Sequence, residues 1–86
     1  MNDLEKVLKA LANRRRLAIL RYLKKNKEAS VAEIASGIKL SFKATSKHLN
    51  ILANADILEK EQRDLQVFYE IAADQPAGVR GIVSLL

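Results

Sequence analysis

SVAEIASGIKLSFKATSKHLNILAN, residues 30–54, decides the fold of this chain. It reads as a short helix, a tight turn containing glycine, and a second helix with a polar, basic outer face. Ser30 followed three residues on by Glu33 forms a capping box, in which each side chain accepts from the other residue's free backbone N–H. Ile34, Ala35 and Ile38 recur at helical spacing, and Gly37 is placed to end this helix in the left-handed conformation. Ser41 is the expected N-cap of the next helix, which runs to about Ala55. Two short helices joined by such a turn are the helix-turn-helix signature.

The second helix carries the functional expectation. Phe42, Thr45, Leu49 and Leu52 follow the three-and-four spacing of a buried stripe, with Ala53 at its margin. Lys43, Lys47, Asn50 and Asn54 make a stripe on the opposite face, and Ser46 flanks it near the N-terminal end. Lysine can donate to guanine and asparagine can pair two-pronged with adenine, so this face suits the edges of bases. The alternative is a merely solvated polar face.

Outward from this stretch, length and composition narrow the class. The 86 residues make one small domain spanning 1–86, and the 49% hydrophobic content supports a core. With no cysteine, disulfides and thiolate metal sites are excluded within the chain. There is no apolar run of membrane-spanning length, and MNDLEK lacks a basic-then-apolar signal pattern, so a cytoplasmic protein is expected. Residues 1–40 carry ten Lys/Arg against four Asp/Glu, whereas residues 58–86 carry three against five. A basic body favours a polyanionic partner, although basic charge also serves solubility.

Leu4, Val7, Leu8 and Leu11 define an amphipathic first helix. Asn13 is placed to cap the next, whose core face comes from Leu17, Leu20 and Leu23 with Ile19 beside them. Arg14, Arg15 and Arg16 open that helix, where the helix dipole disfavours cations. A phosphate would explain them; so would acidic partners elsewhere in the chain. Arg21, Lys24, Lys25 and Lys27 lie toward the other end, where cations complement the dipole.

After the second helix of the motif, Asp56 is expected to turn the chain in a left-handed conformation. Residues 58–62 and 66–71 read as two strands, the second alternating Val67, Tyr69 and Ile71 with Gln66, Phe68 and Glu70. This hairpin, 58–71, would be a wing with Arg63, Asp64 and Leu65 at its tip, placing Arg63 and Gln62 near a sugar-phosphate backbone or a minor groove. The tip arginine could equally be solvated. In residues 75–86, after Asp74 and beginning with Pro76 in the first turn, Val79, Ile82, Val83 and Leu86 form an apolar stripe weakened by Gly78 and Gly81. That stripe packs on its own domain or, the favoured reading, meets the first helix of a second copy across a two-fold axis. The expected architecture is mainly α with a small β-hairpin (α+β), about five helices plus a two-stranded wing.

LKALANRRRLAILRYL, then residues 30–58, then VFYEI resemble the ArsR-like winged helix-turn-helix repressors, named for arsenic resistance. The similarity covers roughly residues 4–71, most specifically Leu8-Lys9-Ala10-Leu11-Ala12 leading to Arg16-Leu17, and Leu40-Ser41 leading to Ser46-Lys47-His48-Leu49. The resemblance implies a homodimeric regulator that binds an inverted-repeat operator in double-stranded DNA. It implies Ser41, Lys43, Ser46, Lys47 and His48 at the DNA, and first and last helices at the dimer interface. That interface would use Leu4, Val7, Leu8, Val79, Ile82, Val83 and Leu86. The chain departs from the family where metal-sensing members carry a Cys-x-Cys pair, having Glu28 to Glu33 there instead, and it has no histidine in the terminal stretch. Phe42 and Lys43 replace a small polar pair, Asp56 stands where glycine is usual, and the wing has no glycine. Metal sensing is therefore not expected, and no effector is implied.

His48, the single histidine, lies between the apolar stripe and the polar face, either as a boundary residue or as a DNA contact. No catalytic constellation surrounds it in the sequence, and no glycine-rich phosphate loop or paired acidic motif is present, so neither an enzyme nor a cofactor is expected. The remaining alternatives are a winged-helix protein-interaction module and a non-specific DNA-binding protein.

Overall fold

The computed structural model describes residues 2–86, with side-chain surroundings from Leu4 onward. Five helices and three strands follow in the order α1 (Asn2–Leu11), α2 (Arg14–Asn26), β1 (Glu28–Ser30), α3 (Val31–Ile38), α4 (Phe42–Asn54), β2 (Leu58–Arg63), β3 (Gln66–Ile71) and α5 (Val79–Ser84). The fold is the expected small α+β winged helix, with one strand added.

The local signals act where the sequence puts them. Asn13 accepts from the amides of Arg15 and Arg16, Ser41 accepts from Ala44, and Ser30 and Glu33 close the capping box. Each satisfies helix-start donors that would otherwise lack partners, a contribution of about 1 kcal/mol per cap. Asp56 takes the left-handed conformation at φ 62°. The wing turns through Asp64 and Leu65, with φ 56° at Asp64. The tip is thus a two-residue turn, and Arg63 belongs to β2, opposite Gln66.

The core forms where the apolar faces of all five helices meet the inner face of the sheet. Ile19, Leu20 and Leu23 of α2, Ile34 of α3, and Leu49 and Leu52 of α4 are its fully buried centre. Each such side chain contributes roughly 1.5–3 kcal/mol of burial. Ile57 and Tyr69 close it from the wing side, and Val79 from α5.

Four expectations are corrected. The sheet has three strands, ordered β1-β3-β2 and antiparallel throughout, because Glu28, Ala29 and Ser30 pair with Glu70, Tyr69 and Phe68. Gly37 does not end α3: it lies inside the helix, and Lys39 takes the left-handed position at φ 59°. Gly37 is required for space, since a Cβ there would collide with the Tyr22 ring. Phe42 is 60% exposed and outside the core, because the first residue of α4 projects past the packed face. The last helix spans only Val79–Ser84; Gly78, at φ 87°, is its N-cap, so Pro76 precedes the helix.

Candidate nucleic-acid interface

The packing of α4 separates its two faces. Thr45, Leu49 and Leu52 are buried, while Lys43, Lys47, Asn50 and Asn54 are exposed along the opposite side, with Ser46 half-buried beside them. Ser41 is exposed and its hydroxyl accepts from the Ala44 amide at 3.1 Å, so its side chain sets the start of the helix.

Between α4 and the wing runs a groove of about 870 Å³. Ser46 and Asn50 line it from α4, Lys60, Gln62 and Leu65 from the wing, and Val31 from α3. Strand alternation explains the division. Lys60 and Gln62 share their face with inward-facing Leu58, whereas Glu59, Glu61 and Arg63 occupy the other face. Lys60 was missed from sequence, although its parity relative to Leu58 was a usable signal.

Arg63 is therefore on the outer face of the sheet, away from the groove. Its guanidinium donates to both Glu28 oxygens at 3.0 and 2.8 Å and to Glu61 at 3.0 Å, and it lies 4.6 Å from the centroid of the Phe68 ring. The hydrogen bond from Arg63 holds the Glu28 carboxyl below its ordinary range, and the two carboxylates raise the guanidinium in turn. Arg63 was expected either near a sugar-phosphate backbone or minor groove or as a solvated residue; its guanidinium is engaged in a protein ion-pair network.

The three arginines that open α2 also separate. Arg14 is exposed and Arg15 half-buried. Arg16 turns back toward the end of α1, donating through Nε to the Ala10 carbonyl at 2.6 Å and through Nη2 to the Lys9 carbonyl at 3.1 Å. A cation is unfavourable at the start of its own helix but favourable at the carbonyl end of another, which accounts for Arg16 without a phosphate. This removes Arg16 from the free phosphate-binding set.

Arg16 Nη1 also lies 3.1 Å from His48 Nδ1. Guanidinium can only donate, so Nδ1 accepts and the His48 proton sits on Nε2. Burial pushes the His48 pKa down, and the charges of Arg16, Arg15 and Lys47 push it further in the same direction. His48 is a neutral boundary residue joining α4 to α2.

The expected dimer residues divide by burial. Val7, Val79 and Val83 are 4%, 0% and 8% exposed within a single chain, so they belong to its own core and leave the candidate interface. Leu4 and Leu8, one turn apart on α1, are 54% and 52% exposed. Ile82 and Leu86 are half-buried, and Leu85, not singled out from sequence, is 83% exposed.

A capped helix with a basic and carboxamide outer stripe, set beside a β-wing, defines a winged helix-turn-helix DNA-binding domain. Residues 13–60, more than half of the chain, match the model of the bacterial regulatory proteins of the ArsR family. The transcriptional activator HlyU of Vibrio cholerae is 38% identical over 80 residues, covering 93% of this chain and 70% of that protein. Among solved structures, the transcriptional repressor PagR of Bacillus anthracis superposes with a TM-score of 0.80 at 30% identity, covering 98% of this chain and 92% of that one. The homodimeric DNA-binding domain of Mb0332 from Mycobacterium bovis, a possible ArsR-family regulator, gives 0.83 at 30% identity, covering 98% and 74%. The chain belongs to the ArsR family and is a DNA-binding transcription regulator.

Proposed function

We propose that this chain is a homodimeric repressor that reads an inverted-repeat operator and does not sense metal. The observation that carries the reading is the exposed Lys43–Lys47–Asn50–Asn54 stripe on a helix whose other face is locked into the core. In the major groove, Lys43, Ser46, Lys47 and Asn50 meet base edges, while Arg14 and Arg15 meet phosphates. The wing contributes Lys60 and Gln62 from the groove side.

A second copy covers Leu4 and Leu8 of α1 together with Ile82, Leu85 and Leu86, which are among the apolar side chains that the monomer leaves wholly or partly in water. The Mb0332 domain is homodimeric, which supports a dimer. Repression by occupying a promoter asks only for a reader of this kind, and PagR, a repressor, is matched over most of its length. The absence of cysteine from the sequence and the engagement of His48 Nδ1 by Arg16 support regulation without metal.

Selection from a randomised duplex pool at about 0.15 M salt, with sedimentation of the free protein, tests the reading. An enriched inverted repeat with half-sites about 10 bp apart, or a multiple of it, is expected, together with a dimer. Unenriched DNA would leave a charge-driven binder. No retained DNA would leave a protein-interaction module, for which the outer sheet face bearing Glu28, Glu59, Glu61 and Glu70 is the contrasting surface.

A further inference from the structure

Tyr69 lies on β3, its residue only 3% exposed, with its backbone opposite Lys60. Its ring is part of the core, but its hydroxyl reaches out to α4 and donates to Asn50 Oδ1 at 3.4 Å. Asn50 itself is exposed, at the point where the outer stripe of α4 borders the groove. The wing thereby touches the base-reading helix at a side chain that faces outward. We propose that Tyr69 holds the side-chain amide of Asn50 in the orientation that reads adenine, so that α4 favours adenine more strongly at one position of each half-site, an inference that rests on α4 reading bases as proposed above.

The chemistry follows from donor and acceptor counts. An asparagine amide can turn over about its last bond, exchanging oxygen and nitrogen at nearly equal energy in water. A hydroxyl that donates to the amide breaks that symmetry, favouring the orientation with oxygen toward it. Burial pushes the Tyr69 pKa up, which keeps the proton on the oxygen. A largely buried phenol hydroxyl needs a partner, and Asn50 Oδ1 supplies it. Oδ1 keeps a second lone pair and the amide nitrogen keeps its N–H groups.

Adenine offers N7 as acceptor and N6–H₂ as donor in the major groove, the complement of this fixed amide. Guanine offers two acceptors, N7 and O6, so one of them faces Oδ1 whichever way the amide lies, and the fixed orientation favours adenine without helping guanine. Tyr69 is thus a positioning residue: it acts through Asn50 and meets no base itself. One neutral hydrogen bond biases the two amide orientations by about three- to tenfold, which raises the adenine-reading share from about one half to about 75–90% and makes the expected effect about 1.5- to 2-fold.

The test uses the full chain and the duplex recovered from the pool, with variants of that duplex carrying G·C for A·T at each position. The wild type is expected to prefer adenine at one base pair per half-site, N50A to lose that preference, and Y69F to lower it about 1.5- to 2-fold. Y69F in the N50A background should change nothing more. The salt dependence of binding should match the wild type in Y69F, since all cations remain, and the melting temperature should fall only by the few degrees that one lost hydrogen bond allows. An adenine preference unchanged in Y69F, or unchanged in N50A, overturns the inference while leaving the DNA-reading function intact. So does a uniform loss of affinity for all sequences with a larger fall in melting temperature, which marks a structural role. A wild-type protein with no sequence preference overturns both readings.

Discussion

Replacing Arg16 separates a structural role from a DNA-binding one. Its three side-chain contacts join the carbonyl end of α1, the start of α2 and His48 on α4. Two of them, to Ala10 and His48, are partly buried, and the third, to Lys9, is exposed. Charge-assisted bonds contribute about 1.5–3 kcal/mol when well shielded, and partial exposure reduces the two partly buried ones to roughly 1–1.5 kcal/mol each. The exposed one adds little. Arg16→Ala should therefore lose about 2–3 kcal/mol, or about 10–20 °C in melting temperature for a domain of this size. Arg16→Lys keeps the charge but not the planar fork that reaches two carbonyls and a ring nitrogen, so it should lose most of the same stability. Arg14→Ala should leave the melting temperature unchanged and lower the salt slope of DNA binding by about 1. The assays are thermal melts at one fixed protein concentration and fluorescence anisotropy across a salt series. A wild-type melting temperature in Arg16→Lys, or an Arg16→Ala protein that keeps its stability and loses salt slope, would refute the reasoning.

Four further outcomes are expected. Lys60→Ala should lower the salt slope of DNA binding by about 1 while Arg63→Ala leaves it unchanged, because only Lys60 faces the groove; equal slopes in the two variants would contradict the strand parity. Thr45 is fully buried and its hydroxyl has no hydrogen-bond partner among the described residues, so Thr45→Val should stabilise by about 1 kcal/mol in a urea titration. Gly37→Ala gains about 1 kcal/mol of helix propensity but must push the Tyr22 ring aside, for a net loss of about 1 kcal/mol; in a Tyr22→Ala background the same change should stabilise. His48 has a folded pKa below its ordinary 6.5, so the unfolded chain takes up a proton near that pH before the folded chain does. Its contribution to stability is complete above 6.5 and is lost as pH falls through the folded value, and His48→Gln should flatten that part of a stability–pH curve.

The parts of the fold that were legible in sequence are those written locally. Asn13, Ser30 and Ser41 act within three residues of themselves, so their caps can be read one helix at a time. β1 could not be read this way, because three residues show no alternation and its partner, β3, is some forty positions away. An apolar stripe on α5 is visible in sequence, but the stripe is silent about whose core it enters, and Val79 and Val83 enter their own. The stripe of α4 was legible as a candidate DNA-reading face. Arg16 and Arg63 were not legible in the same way, because a charge in sequence carries no direction and both side chains turn back onto the protein. Lys60 lay within reach of the strand pattern, and the tip arginine drew attention away from it.

Ser30 belongs to two elements at once. It is the last residue of β1, paired with Phe68 on the wing, and it is the N-cap of α3. Detaching β1 from β3 therefore disturbs the cap on which the helix-turn-helix begins, and fraying the start of α3 loosens the sheet edge. Wing and reading head should therefore open as one cooperative unit, not one after the other. Their slowest backbone amides should accordingly share a single rate of hydrogen exchange with solvent, and an operator that grips only α4 should slow exchange in β3 as well.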